Sequence, residues 1–168
     1  TFNNVLRQYR TLKREVNRAL EDLETELKEE KVKTGAPIGA EFERLAEEAP
    51  VIKVVAVILR HAVEGKASDI DIEPSKDKSR VRFRVGGVLH SSIFLPLRAH
   101  PAVIARIKIL SNLKIDEQRM PQDGRSTVTT KDGREMDLRI STLPTVKGEK
   151  VVMRIQDKSR SIPDLPEL

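Results

Sequence analysis

The sequence contains no cysteine and no tryptophan, and only one tyrosine and four phenylalanines among 168 residues. The missing thiols exclude disulfides, thiolate metal sites and a cysteine nucleophile, and they fit a reducing compartment. So few aromatic rings leave little on which unpaired bases can stack, which weakens a single-stranded nucleic-acid reading. No apolar run reaches the roughly 18 residues of a membrane span. The N-terminus also lacks the charged, apolar and small-residue order of a signal peptide, so a soluble protein is expected. Catalytic signatures are missing too. Neither G-x-S-x-G nor H-E-x-x-H occurs, and the three histidines show no metal-ligand spacing. G-x-x-x-x-G-K-[ST] is absent as well, so the chain is not a complete P-loop enzyme.

Charge is plentiful but uneven. Residues 1–48 hold 9 basic and 11 acidic side chains, net −2, whereas residues 76–160 hold 19 basic and 9 acidic, net +10. The basic part calls for an acidic partner: nucleic acid, anionic lipid, a nucleotide or an acidic protein surface. The length suits one compact domain plus an appendage. The start at Thr1 and the polar, proline-containing end SIPDLPEL suggest a piece of something longer.

Tyr9, Leu12, Val16, Leu20, Leu23 and Leu27 recur at alternating three- and four-residue steps, which predicts an amphipathic helix over the first thirty residues. It either forms a coiled coil with a partner or packs on its own or a neighbouring domain. The second reading is favoured because the heptads are short and weak at Tyr9 and Ala19. KTGAPIGA, residues 33–40, reads as a linker. A helical pattern runs from Glu41 to Glu64, with Pro50 opening its apolar part, residues 51–63, and Gly65 as the stop. His61 on this helix reads as structural.

Next, Ile70 and Ile72 alternate with Asp69, Asp71 and Glu73, and Val81, Phe83 and Val85 alternate with Arg80, Arg82 and Arg84. Cross-strand ion pairs explain these two charged stripes better than a divalent cation does. Gly86-Gly87 is a turn, a third strand follows, and Pro101 to Leu113 is an amphipathic helix with Val103, Ile104, Ile107 and Leu110 inward. Two strands of a hairpin and a final strand, Glu149 to Gln156, complete the series. Helix, three strands, helix, three strands makes an α+β fold: an antiparallel sheet with helices packed on one face, preceded by the N-terminal helix.

The hairpin PQDGRSTVTTKDGREMDLRIST, Pro121 to Thr142, fixes its own register. An Asp132-Gly133 turn pairs Val128 with Asp137 and mixes the faces. A three-residue loop, Lys131-Asp132-Gly133, pairs Val128 with Met136 and Ser126 with Leu138. It also sets Arg125 against Arg139. Opposed like charges destabilise a sheet, which predicts an anion between them. Arginine's planar fork is well matched to phosphate, so a domain with paired arginines and no phosphate-cradling loop can supply them to a nucleotide held elsewhere.

Four runs, EEAPVIKVVAVILRHAVEGKASDIDIEP, RVRFRVGGVL, RIKILSNLKIDEQRMPQDGR and MDLRISTLPTVKGEKVVMRI, together resemble the domain that precedes the P-loop domain in the secretion ATPases of type II secretion and type IV pilus assembly. The resemblance covers Glu47 to about Asp157. It departs at Asp71, where the family commonly has histidine, and at Gly86, where it commonly has an acidic residue. It implies a PAS-like domain at residues 49–158, after an N-terminal helix and linker at 1–48. Residues 159–168 would lead to a RecA-like ATPase domain that binds ATP and Mg. It further implies a homohexameric ring at the cytoplasmic side of the inner membrane, with platform or assembly proteins as partners and no specific nucleic acid. The arginines of the DGR and D-x-R-x-S-T motifs, Arg125 and Arg139, would then approach the γ-phosphate, with Arg119 and Arg154 extending the basic face. Metal ligands and catalytic residues are expected elsewhere, beyond Leu168, so that this piece is inactive alone. The alternative is a basic module binding nucleic acid or an acidic protein without an ATPase role.

Overall fold

The computed structural model describes residues 2–30 and 49–158. The linker expected at 33–40, the helical residues expected at 41–48 and the segment 159–168 lie outside them. The elements are helix α1 (Phe2–Glu30), helix α2 (Ala49–Glu64), strands β1 (Asp69–Pro74), β2 (Lys78–Val85) and β3 (Val88–Pro96), a 3-10 turn (Leu97–Ala99), helix α3 (His100–Leu110), and strands β4 (Gln122–Thr129), β5 (Glu135–Thr145) and β6 (Gly148–Asp157). All neighbouring strands are antiparallel, in the spatial order β3-β2-β1-β6-β5-β4. The α+β expectation therefore holds.

One face of the sheet is apolar because each strand alternates. Ile70 and Ile72, Val81 and Phe83, Ile93 and Leu95, Leu138 and Ile140, and Val151 and Met153 share it and form one core with the helices. Burying each such side chain contributes roughly 1.5–3 kcal/mol. Val85 does not join them; at the end of β2 beside the Gly86-Gly87 turn it is exposed.

Helix α2 buries Val51, Val54, Val55, Ile58, Leu59 and Ala62, the i, i+3, i+4 set of a single wide stripe. Ile52 stays exposed and Val57 only half-buried, so this helix buries one wide stripe rather than its whole circumference. It does end at Gly65, but the left-handed residue is Lys66, with φ 55. The Gly65 N–H bonds to His61 O at 2.9 Å, and a Cβ on Gly65 would meet that same oxygen at 3.0 Å. Helix α3 stops three residues earlier than expected, at Leu110, where left-handed Asn112 (φ 54) turns the chain.

Of the two readings of α1, packing on its own domain is the one observed. Leu12, Val16, Ala19, Leu20 and Leu23 are buried in the common core, and α1 lies along α2. Glu15 pairs with Arg60 and stands 3.8 Å from His61 Nε2, while Glu24 pairs with Arg98 at 2.6 Å. His61 is thus part of the seam between two helices. Burial pushes its pKa below the ordinary 6.5, and the Arg60 charge adds to this.

Candidate functional site

The face of the sheet turned away from the helices carries the charge. Pairing places five residues abreast: Arg125 on β4, Arg139 on β5, Arg154 on β6, Asp69 on β1 and Arg84 on β2. The hairpin has the expected register, with Val128 opposite Met136, Ser126 opposite Leu138 and Arg125 opposite Arg139. Its three-residue loop ends on Gly133, whose φ of 78 is the left-handed geometry that a bulged turn requires.

The partners of these arginines differ. Asp69 lies 3.1 Å from Arg154 Nε and 3.4 Å from Arg84 Nε. Arg82 donates to Asp71 at 2.7 Å and to Glu73 at 3.1 Å, and Arg80 reaches Glu73 at 3.4 Å. The stripes of β1 and β2 therefore neutralise each other as expected. Arg125 and Arg139 have no hydrogen bond and no ion pair within 4 Å among the described residues, although both are exposed on the same face.

Carboxylates stand close without closing on them. Asp123 and Asp137 occupy the same face two residues from Arg125 and Arg139 respectively, and are paired across the hairpin with Ser141 and Thr127. Ser141 Oγ donates to Asp123 at 2.5 Å. Asp137 Oδ1 accepts from Thr127 Oγ1 at 3.0 Å and lies 3.0 Å from Lys158 Nζ. The bond from Lys158, above all, holds the Asp137 carboxyl below its usual range, with smaller help from Thr127 and the nearby charge of Arg125. Lys158 is raised in turn. A depression of about 380 Å³ at this place is lined by Arg125, Thr127, Asp137, Arg139 and Gln156 together with Leu110 and Asn112 at the end of α3 and the inward-facing Ser126 and Leu138.

Arg154 lies beside Arg139 in this row, but Asp69 holds it. Arg119 lies outside the row, in the loop before β4, where Glu117 Oε1 accepts the N–H of Arg119 at 2.7 Å and of Met120 at 3.2 Å.

The strand bearing Arg125 is positioned by two devices that pattern reading missed. Lys108, on the helix expected to be simply amphipathic, has a fully buried side chain: Nζ donates to Glu117 O at 2.7 Å and meets Glu149 Oε1 at 2.7 Å. Gln122 then ties down the same loop through Lys114 and Glu117 O. A lysine two residues before the helix end looks like surface in any sequence. The second device is Gly124, where a Cβ would stand 2.8 Å from Ser111 O and 2.9 Å from Leu113 Cδ2. The glycine of DGR lets β4 lie tightly under the loop that follows α3. Nearby, His100 Nε2 donates to Glu149 O and Nδ1 pairs with Ser79 Oγ, both at 2.7 Å. Burial pushes its pKa down.

No group of three or more His, Asp or Glu side chains suited to a metal occurs among the described residues, and none of their helices is long and apolar enough to cross a membrane.

Comparison with known proteins matches this arrangement to a family. The sequence is 44% identical over 128 residues to the type IV pilus assembly ATPase PilB of Myxococcus xanthus, covering 76% of this chain and 23% of that protein. It is 49% identical over 124 residues to type II secretion system protein E of Xanthomonas campestris, covering 74% and 22%. It is 53% identical over 112 residues to the type IV pilus assembly ATPase TfpB of Acinetobacter baylyi, covering 67% and 19%. The chain spans about a fifth of the length of these curated relatives. The family profile described as type II/IV secretion system protein matches residues 44–168. With most of its length matched in this way, the chain belongs to the type II/IV secretion system protein family.

Proposed function

We propose that residues 49–158 form a PAS-like regulatory domain, inactive alone, of a hexameric ATPase that powers type IV pilus assembly or type II secretion. Residues 1–48 lead into it, and 159–168 lead on to a RecA-like domain that binds ATP and Mg. Arg125 and Arg139 contact the γ-phosphate of that ATP, as arginine fingers. The observation that carries this reading is their lack of partners: on a face where the arginines of β1's neighbours are neutralised, this pair is left open and side by side. Two guanidinium forks at one place match the oxygens of a terminal phosphate, and their mutual repulsion is relieved when the anion arrives. With ATP bound the domain is clamped against the ATPase core; after hydrolysis the clamp loosens and the domain turns. The partners are then the adjoining ATPase domain, neighbouring subunits and inner-membrane assembly proteins, and the place is the cytoplasmic side of that membrane.

The test is steady-state ATP hydrolysis by the full-length protein carrying Arg125→Ala, Arg139→Ala or both. Turnover falls about 10³-fold with near-normal nucleotide affinity, and the double variant is no worse than either single one. Unchanged turnover would exclude the phosphate contact. It would favour instead a basic module whose binding depends steeply on salt and little on any one arginine.

A further inference from the structure

The arginine pair is open, yet its surroundings are not purely cationic. Asp137 lies on the same face of β5 two residues from Arg139, and its cross-strand partner on β4 is Thr127, two residues from Arg125. Asp123, the other carboxylate beside the pair, is turned to Ser141 by a 2.5 Å hydrogen bond. Asp137 is instead held by Thr127 and Lys158, each at 3.0 Å, and it feels the charge of Arg125. Lys158 stands one residue past the end of β6, and its ammonium group reaches back along this face to Asp137. Arg125, Arg139 and Asp137 thus lie side by side on this face, with Lys158 bonded to Asp137.

We infer that Asp137 is a built-in competing anion that weakens the grip of Arg125 and Arg139 on a phosphate, and that Lys158 is a third cation which it keeps turned away from that phosphate. The inference rests on the phosphate-contact reading and adds to it the residue that sets release. A polyphosphate approaching this face meets two guanidinium groups and, beside them, a fixed carboxylate that repels it in proportion to its charge. The carboxylate also engages Lys158, whose ammonium group otherwise has only the more distant Glu135, at 3.9 Å, among the described residues. An arginine pair without Asp137 would hold its anion longer. With Asp137 it lets go once the charge on the anion falls.

The experiment is calorimetric titration of the 168-residue chain with tripolyphosphate at about 50 mM salt, where exposed charges are only partly screened. Asp137→Asn keeps the shape and an acceptor for Thr127 but removes the charge. It is expected to tighten binding about fivefold, an effect that loss of structure would not produce. Lys158→Met added to Asp137→Asn returns the affinity toward wild type, because the freed ammonium group supplies part of the gain. Unchanged or weaker binding by Asp137→Asn, with binding still abolished by Arg125→Ala and Arg139→Ala, overturns the competing-anion role and leaves the phosphate contact standing. Binding that survives loss of both arginines overturns the phosphate contact and this inference together, and binding absent from wild type and Asp137→Asn alike overturns this inference.

Discussion

Two stretches of the same polar face use arginine in opposite ways. On β2, Arg80, Arg82 and Arg84 alternate with Val81, Phe83 and Val85, and each finds a carboxylate on the neighbouring strand β1. On β4 and β5, Arg125 and Arg139 occupy equivalent outward positions, but their neighbour is another arginine. Residue type alone does not separate these cases, since each is an outward-facing arginine on a strand next to a glycine-bearing turn. The cross-strand partner separates them, and partner identity depends on register. An arginine opposite aspartate is part of the scaffold; Arg125 and Arg139, opposite each other, are in the proposed function the contacts for an outside anion.

The contrast can be broken most severely through turnover, where the loss for Arg125→Ala in the full-length protein is the largest effect expected. The next largest comes from the buried pair behind the hairpin. Lys108→Ala strands the Glu149 carboxylate and frees the loop before β4, costing about 3–5 kcal/mol of stability in urea denaturation. Arg82→Ala leaves the largely buried Asp71 with only Lys150, at 3.3 Å, and is expected to cost about 1–3 kcal/mol. On stability, by contrast, Arg125→Ala should stay within about 0.5 kcal/mol of wild type, since it breaks no ion pair and removes a like-charge neighbour. If Arg82→Ala and Arg125→Ala prove equally costly, the division between scaffold and contact arginines is wrong.

The smallest effect is on pH dependence. His61 and His100 both have pKa values lowered by burial, so below the ordinary 6.5 the unfolded chain takes up protons that the folded chain resists. Their stabilising contribution is complete above pH 6.5 and is lost as the pH falls from there through the lowered values. Thermal midpoints should therefore drop on going from pH 7.5 to 5.5, and less so in His100→Gln.

Much of the fold was legible because alternation is a strong signal. Ile70 and Ile72 against Asp69 and Asp71 gave a face and a partner, and Val128, Met136 and Leu138 allowed only one hairpin register. The arginine pair followed from that register. What alternation does not carry is distance between elements far apart in sequence. Nothing local in α3 says that Lys108 points inward, because its two acceptors come from a loop nine residues on and from a strand more than forty residues away. Asp137 was visible as an outward residue, but its grip on Lys158 requires knowing how β6 ends beside β5. The end of α3 shifted for a different reason: Asn112 adopts left-handed geometry where propensity would continue the helix.

The seam between α1 and α2 has a mechanical meaning. Leu12, Val16, Leu20 and Leu23 fasten the long helix to the helix side of the sheet, and the arginine pair looks out from the other side. A pull along α1 would be passed on through the Glu15–Arg60 pair and the core that α1 shares with the sheet. A partner that took hold of α1 would therefore leave the face that carries the arginine pair unobstructed.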